Sequence, residues 1–532
     1  VFLERRSLLL AACLIALAAV RIVATYPVFG NTGDEPGHMA CGLQYLAQHV
    51  YRYESQHPPL ARAMSALGPF LDGARPLGIP NQDQEGVALI YGSGHPDRFL
   101  RLMRLGILPF FLLAGLVVYG WTKRDFGGAT AVIAAGLFTL IPPVLAHATF
   151  ATTDMPLTAC LGAAFVALLR WAGTPSWKRA LVLGLTSALA ALAKFTSLGY
   201  LPAAALLALM AYVAVERPGM KRLASLARER APSFGLAVLA GAVLVWAAYF
   251  FSFGRVPAWN VTLPAPEFFD GIASAMHHNR VGNPAYLLGQ VGTRGWWYFF
   301  PVALAVKTPV ALLVLVVLGV AACWRRRDAW VRLTPLAFGL GILLPAMTSH
   351  VNIGLRHILP VYLSFSILGA VGLVWLVEWG VTKRWVTGVA AGLVMWLVAS
   401  GAAHHPDYIP YFNEFGGSHP EDILVDSDYD WGQDQKRLAK RLRELGVREV
   451  GFGWFGDNQS LWPELPVTRK VNPLEPAEGW TAVSPTLAKV RQYGLDYRYP
   501  NLKPWFEYLQ PKERVGTLRL YYVASGSLRR QP

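Results

Sequence analysis

Charge is what this chain has least of. Asp, Glu, Lys and Arg make up 15% of its 532 residues, against roughly 25% in soluble domains, and an ordinary water-soluble enzyme does not fit that deficit. Cysteine is scarcer still. Cys13, Cys41, Cys160 and Cys323 offer no disulfide framework and no CxxC zinc pair. Also missing are a P-loop, a GxSxG elbow, an HExxH motif and a dinucleotide fingerprint. No internal repeat or low-complexity tract stands out.

What is present is apolar: 54% of the residues are hydrophobic. Runs long enough to span a bilayer recur at about 7–28, 99–120, 128–147, 156–171, 180–194, 198–215, 233–252, 297–322, 332–348, 356–377 and 385–403, and predict about eleven transmembrane helices. The first run follows Glu4-Arg5-Arg6 without a clear small-residue cleavage site and reads as a retained helix. The net charge is 48 − 33 = +15. Its basic residues gather in short turns on one side, at Arg5/Arg6, Lys123/Arg124, Lys178/Arg179, Arg217–Arg230, Arg325–Arg327 and Lys383/Arg384. That is the positive-inside pattern, which places those turns in the cytoplasm and accounts for the charge with no nucleic-acid partner.

On the opposite side lie two long loops, 30–98 and 253–296, and everything after residue 403. The first loop carries apolar-periodic stretches near 38–50 and 60–71, expected as helices in the interface plane. The aromatic set Trp296-Trp297-Tyr298 fits an interfacial belt. Residues 434–445 read as an amphipathic helix stopped by Gly446, Val447–Phe455 as a strand, and Thr517–Ala524 as another. The expected organisation is therefore an α-helical polytopic membrane domain over 1–403 and a small extracytoplasmic α/β domain over 404–532.

The outer side also collects charge. Asp34 and Glu35 follow the first span, and Asp154 precedes the fourth. Each aspartate also suits a helix N-cap, with Pro36 and Pro156 near the helix starts. His57-Pro58-Pro59-Leu60 fixes an extended approach to the stretch that follows. Lys194 ends the fifth span, Lys307 lies inside the eighth, and Arg356-His357 opens the tenth. Snorkelling would explain Lys194 and Arg356, but an intramembrane lysine usually faces a cavity or a partner. An anionic ligand held between helices, such as a lipid-linked phosphate, accounts for all three cations. A carboxylate beside them could take a proton from an acceptor hydroxyl, while the cations stabilise charge on the leaving phosphate.

The ordered set Asp34-Glu35, His57-Pro58-Pro59-Leu60, Trp297-Tyr298-Phe299-Phe300-Pro301 with Lys307-Thr308-Pro309, and Arg356-His357-Ile358-Leu359-Pro360 resembles the protein O-mannosyltransferase and aminoarabinose transferase superfamily, in particular its bacterial members, over roughly residues 1–400. The resemblance implies a GT-C glycosyltransferase fold, a polyprenyl-monophosphate sugar donor and inverting transfer at the outer face of the cytoplasmic membrane. The acceptor would be a protein, a lipid or a glycan. Asp34 matches the essential acid, with Glu35 beside it and Asp154 as a second acidic position. Lys194, Lys307, Arg356 and His357 match donor-phosphate ligands, and His57, His278 and Asn279 are candidate substrate contacts. No cofactor is firmly implied. Some relatives bind a divalent cation, for which His277 or His278 with an acid could serve. The β-trefoil insertion of eukaryotic members is absent; instead the tail holds polar-aromatic patches at Tyr411-Phe412-Asn413 and Asp428–Asp434. A polyprenyl-lipid transporter or flippase is the alternative that could use the same charges, and a non-catalytic assembly subunit is a weaker one. Transporters tend to place polar breaks at the bilayer midplane in matching halves, whereas here polarity gathers at outer helix ends.

Overall fold

A computed structural model describes residues 2–326, 329–381, 383–454, 461–490 and 504–524. Every one of the eleven expected spans falls on a helix or a bent helix pair, but they are not alike. Among the described residues seven helical segments are long and apolar enough to cross a membrane: Arg6–Thr25, Pro96–Phe126 (with a turn at Gly106-Ile107), Asp154–Gly173, Ser197–Glu216, Met220–Ala248, Val361–Gly380 and Arg384–Ala403. Two spans are bent pairs, Gly128–Phe138 with Pro142–Thr149 at 63° and Phe299–Lys307 with Val310–Arg325 at 113°. The remaining two are shorter, Trp177–Ala193 and Trp330–Ala346. The breaks have a local cause. Proline cannot donate a helical hydrogen bond and drives its predecessor into extended backbone, as Ile141 before Pro142 and Thr308 before Pro309 both are. The continuous helix expected over 297–322 is thus two segments, and Lys307 sits at the end of the first.

Small residues let the helices approach closely, the usual device where lipid supplies no hydrophobic drive between them. A Cβ on Gly319 would lie 1.9 Å from the Leu368 carbonyl oxygen, and one on Gly372 2.1 Å from that of Leu315. Helices Val310–Arg325 and Val361–Gly380 therefore pack backbone to backbone. By contrast, Met220–Ala248 buries only Ala237 and turns apolar residues such as Val238 and Leu239 outward.

The long segment 30–98 folds into helices Glu35–Gln48, Pro59–Leu71 and Gln82–Gly92. The third lacks an apolar period; it is announced by Asn81, whose side chain caps the Asp83 and Gln84 amides. The first is not an interfacial helix as expected. Its residues Glu35–Gln44 are buried, and Gly42 meets the Arg62 carbonyl so closely that a Cβ would stand 2.0 Å away. The second loop contributes hairpin β1 (Phe253–Val256) and β2 (Val261–Pro264), helix Pro266–Val281, and hairpin β3 (Ala285–Leu287) and β4 (Gln290–Gly292).

Beyond His404 the chain first runs irregularly through short 3₁₀ turns, then forms the expected amphipathic helix, Gln435–Glu444. Five strands follow: β5 (Glu449–Gly453), β6 (Val467–Lys470), β7 (Gly479–Val483), β8 (Glu513–Val515) and β9 (Leu518–Val523). Their order is β6-β5-β7-β9-β8, with β5 parallel to β6 and β7, and β9 antiparallel to β7 and β8. Leu438 and Leu442 of the helix pack with Val450, Phe452 and Leu520 of the sheet. The small α/β unit at the C-terminal end is as read from the sequence.

Candidate functional site

A cavity of about 830 Å³ opens where the segment 30–98, helix Pro266–Val281 and the ends of several helices converge. Seven of the sequence-predicted residues line it: Asp34, His57, Lys194, His278, Asn279, Arg356 and His357. Three do not, namely Glu35, Asp154 and Lys307.

Asp34 occupies the N-cap position of helix Glu35–Gln48 but makes no side-chain cap bond. Its Oδ2 instead accepts from Arg356 Nη1 at 2.8 Å, and its side chain keeps 36% exposure against 7% for Arg356. Burial pushes the carboxyl up, yet Arg356, then His38 and His57, hold it below the usual carboxylate range. Asp34 is therefore ionised at neutral pH. It can orient a hydroxyl or amine and receive its proton as a bond forms.

Arg356 sits on the 3₁₀ turn Leu355–Ile358. Burial opposes its charge, but Asp34 and Asp154 raise its pKa further. Its Nε is buried without a hydrogen-bond partner, as are His357 Nε2 and Thr196 Oγ1. Burial, then Lys194 and Arg356, pushes His357 well below the usual imidazole range, so that ring is neutral. Lys194 follows the end of helix Trp177–Ala193 in extended conformation and bonds Asp154 Oδ1 at 2.6 Å. Neither Lys194 nor Arg356 snorkels: both are buried and edge the cavity as fixed cations.

Asp154 is fully buried behind these cations, 2.6 Å from Lys194 and 3.7 Å from Arg356. It is the first residue of helix Asp154–Gly173 and its side chain does not cap; its position suits holding two cations rather than meeting a substrate. Glu35 corrects the catalytic expectation outright. Its carboxylate accepts from Arg104 Nε at 2.9 Å and Nη2 at 3.0 Å, and from the Thr32 and Ala151 amides. Both side chains are 0% exposed, so Glu35 locks the loop to the spans and faces no ligand. Lys307 corrects the phosphate-binding expectation. Its Nζ donates to the carbonyls of Ile409 at 2.7 Å and Asp428 at 2.5 Å, with Phe412 beneath it at 4.2 Å. The proline break after Thr308 points it at the tail.

Two groups of lining residues escaped the sequence reading. His38, Glu54 and Arg62 form one wall with His57. Glu54 bonds both Arg62 and His57, the latter at 2.9 Å, and Arg62 Nε donates to His38 Nδ1 at 3.2 Å. Burial, outweighing Glu54, lowers the pKa of His57. The only sequence signal was a local density of polar residues in one outer loop. On another wall, Asn279 accepts from Ser349 Oγ at 2.8 Å and His278 stands beside it. Among the described residues no three His, Cys, Asp or Glu side chains converge as a metal-binding group. The second missed group comes from the tail. Trp454 lines the cavity, and the Trp431 ring lies 4.2 Å from the Arg356 guanidinium.

The profile of the family described as Dolichyl-phosphate-mannose-protein mannosyltransferase matches residues 101–249. No curated protein sequence matches significantly. Among solved structures, ArnT from Cupriavidus metallidurans bound to undecaprenyl phosphate is similar over 96% of this chain and 97% of that chain, at 14% identity and a TM-score of 0.52. The Pmt1-Pmt2 protein O-mannosyltransferase complex of S. cerevisiae, bound to the sugar donor, is similar over 46% of this chain and 33% of that one, at 18% identity and a TM-score of 0.36. The archaeal oligosaccharyltransferase AglB from Archaeoglobus fulgidus is similar over 82% and 58%, at 12% identity and a TM-score of 0.46. The full-length likeness to ArnT carries the fold. The chain is a polytopic membrane protein with the GT-C glycosyltransferase fold.

Proposed function

We propose that the protein is a membrane glycosyltransferase that moves a sugar from a polyprenyl-monophosphate carrier to an acceptor at the outer face of the cytoplasmic membrane. The observation that carries this reading is the Asp34–Arg356 pair at the cavity wall, with Lys194 on the same wall. A leaving phosphate needs fixed cations where its charge develops, and Arg356 and Lys194 supply two. An acceptor hydroxyl or amine needs a carboxylate within reach, and Asp34 supplies it. In the step, an acceptor lone pair attacks the anomeric carbon and the bond from that carbon to the phosphate oxygen breaks with inversion. The electron pair leaves on the phosphate against Arg356 and Lys194, and the acceptor proton passes to Asp34.

The likeness to a chain solved with undecaprenyl phosphate supports the choice of donor class. Orientation is supported by the basic turns, none of whose described residues lines the cavity. His57, His278, Asn279 and His357 line the cavity, and in this reading the first three meet the sugar or the acceptor and His357 the phosphate. Asp154 holds the two cations in place. The test is transfer of a labelled sugar from a polyprenyl-phosphate donor by the purified protein. D34N and R356A are expected to abolish transfer while the protein stays folded. Near-normal turnover by folded D34N would overturn the role of Asp34. Movement of the labelled lipid across the bilayer with no chemical change would instead support the transporter.

A further inference from the structure

The tail does not simply hang outside the membrane domain; one short strap of it reaches the cavity wall. Residues 426–434 touch Arg356 itself and the backbone that leads into Asp34. On the cation side, the Leu355 amide donates to Asp428 Oδ1 at 3.0 Å, and Ser427 Oγ donates to the Ile353 carbonyl at 2.6 Å. Gly354 sits between them at φ +146°, and a Cβ there would stand 2.1 Å from Ser427 Oγ. On the acid side, the amides of Gly30 and Gly33 donate to the carbonyls of Gln433 and Trp431 at 3.0 and 3.1 Å. Lys307 pins the strap from the membrane through the Asp428 carbonyl.

Trp431 is where these ties meet. Its carbonyl holds Gly33, the residue before Asp34, and its ring lies 4.2 Å from the Arg356 guanidinium. The indole is 1% exposed. An arginine whose Nε has no hydrogen-bond partner is held in plane only by its remaining contacts. Here those are the carboxylates and the indole face, a desolvated cation–π contact.

We propose that Trp431 is a positioning residue for the donor-phosphate site: it fixes the plane of Arg356, so that the tail completes a site otherwise built from the membrane domain. This rests on the phosphate reading given above. The ligand it serves is a lipid-linked phosphate, a diester in the sugar donor and a monoester once the sugar has left. Trp431 itself touches neither the phosphate nor the reacting carbon; it acts through Arg356.

Binding of undecaprenyl phosphate to the full-length protein in detergent, followed by native mass spectrometry, tests it. W431L is expected to weaken binding about tenfold and W431F, which keeps an aromatic face, by no more than about threefold. In an R356K background the planar guanidinium is already gone, and W431L should cost less than about twofold more. W431M, of similar apolar reach, is read wherever W431L does not fold. Unchanged binding by folded W431L, while R356A loses it, overturns the positioning role and leaves the phosphate reading intact. An equal loss in the wild-type and R356K backgrounds also overturns it, because general damage to the fold would act on both. Wild-type-like binding by R356A overturns the phosphate reading itself.

Discussion

Asp34 and Glu35 are neighbours in the chain and face arginines across the fold, yet they are opposite kinds of ion pair. Asp34 meets Arg356 at the cavity wall and keeps 36% exposure. Glu35 meets Arg104 with both side chains at 0% and has its remaining oxygen valences filled by backbone amides. The helix that begins at Glu35 turns successive side chains to different faces, so one carboxylate looks into the cavity and the next into the packing between loop and spans. A carboxylate at a helix end is thus not by itself a sign of chemistry. What separates the two is whether a valence is left for a ligand.

The largest effect expected follows from that difference. E35Q leaves Arg104 charged in a sealed site, and breaking a buried pair from one side costs about 3–5 kcal/mol, enough to deplete folded protein. D34N removes a partly exposed acid and leaves Arg356 beside Asp154, so its thermal unfolding midpoint should fall less than that of E35Q. Its transfer rate should fall by at least about a hundredfold. Measuring both variants for unfolding and for turnover per folded molecule decides the matter. Comparable destabilisation in the two would erase the contrast.

A second contrast of intermediate size sets Lys194 against Lys307. Both are buried lysines at helix ends, and the sequence, which placed Lys307 inside its span and let Lys194 snorkel, favoured the wrong one for the cavity. Lys194 lines the cavity, whereas Lys307 spends its charge on two tail carbonyls. K307M leaves those carbonyls unpaired and should lower stability by about 1–3 kcal/mol. K194M should weaken undecaprenyl-phosphate binding more than K307M does. The reverse ranking in a direct binding titration would return Lys307 to the phosphate site.

These contrasts also mark what was legible in the sequence. Apolar run length found the helices, seven to nine of them long enough to span among the described residues, because a bilayer-length requirement is local in the chain. The helix and two strands of the tail were likewise readable from local pattern. Asp34, Lys194, Arg356 and His57 do share one cavity. Partners across the chain were not legible. Glu35 and Arg104 stand 69 residues apart, and Lys307 and Asp428 stand 121 apart; no periodicity encodes such pairings. The Asp428–Asp434 patch was visible as odd composition, and its place beneath Arg356 was not. The cap reading of Asp34 failed for a related reason: a distant arginine outcompetes the local amides for its oxygens.

The smallest effect expected concerns pH, and it sets Asp34 against Asp426, two acids close to the same arginine. Burial pushes Asp426 up to about 7, with Arg356 pulling it back only in part. Between the ordinary carboxylate range near about 4 and that value, the unfolded chain releases this proton while the native protein keeps it. The unfolded state then binds fewer protons, so stability falls as pH rises through that window. Asp34 works the other way. Its depressed pKa adds stability above the ordinary carboxylate value, and this is lost as pH falls through the lowered one. The asparagine in D426N does not titrate. Its unfolding midpoint, measured at pH 5 and at pH 8, should therefore change less on the alkaline step than that of the wild type. Matching steps in the two proteins would mean that Asp426 is ionised throughout. Arg356 would then face three carboxylates, Asp34, Asp154 and Asp426, and a phosphate drawn to it would have to compete with one more negative charge.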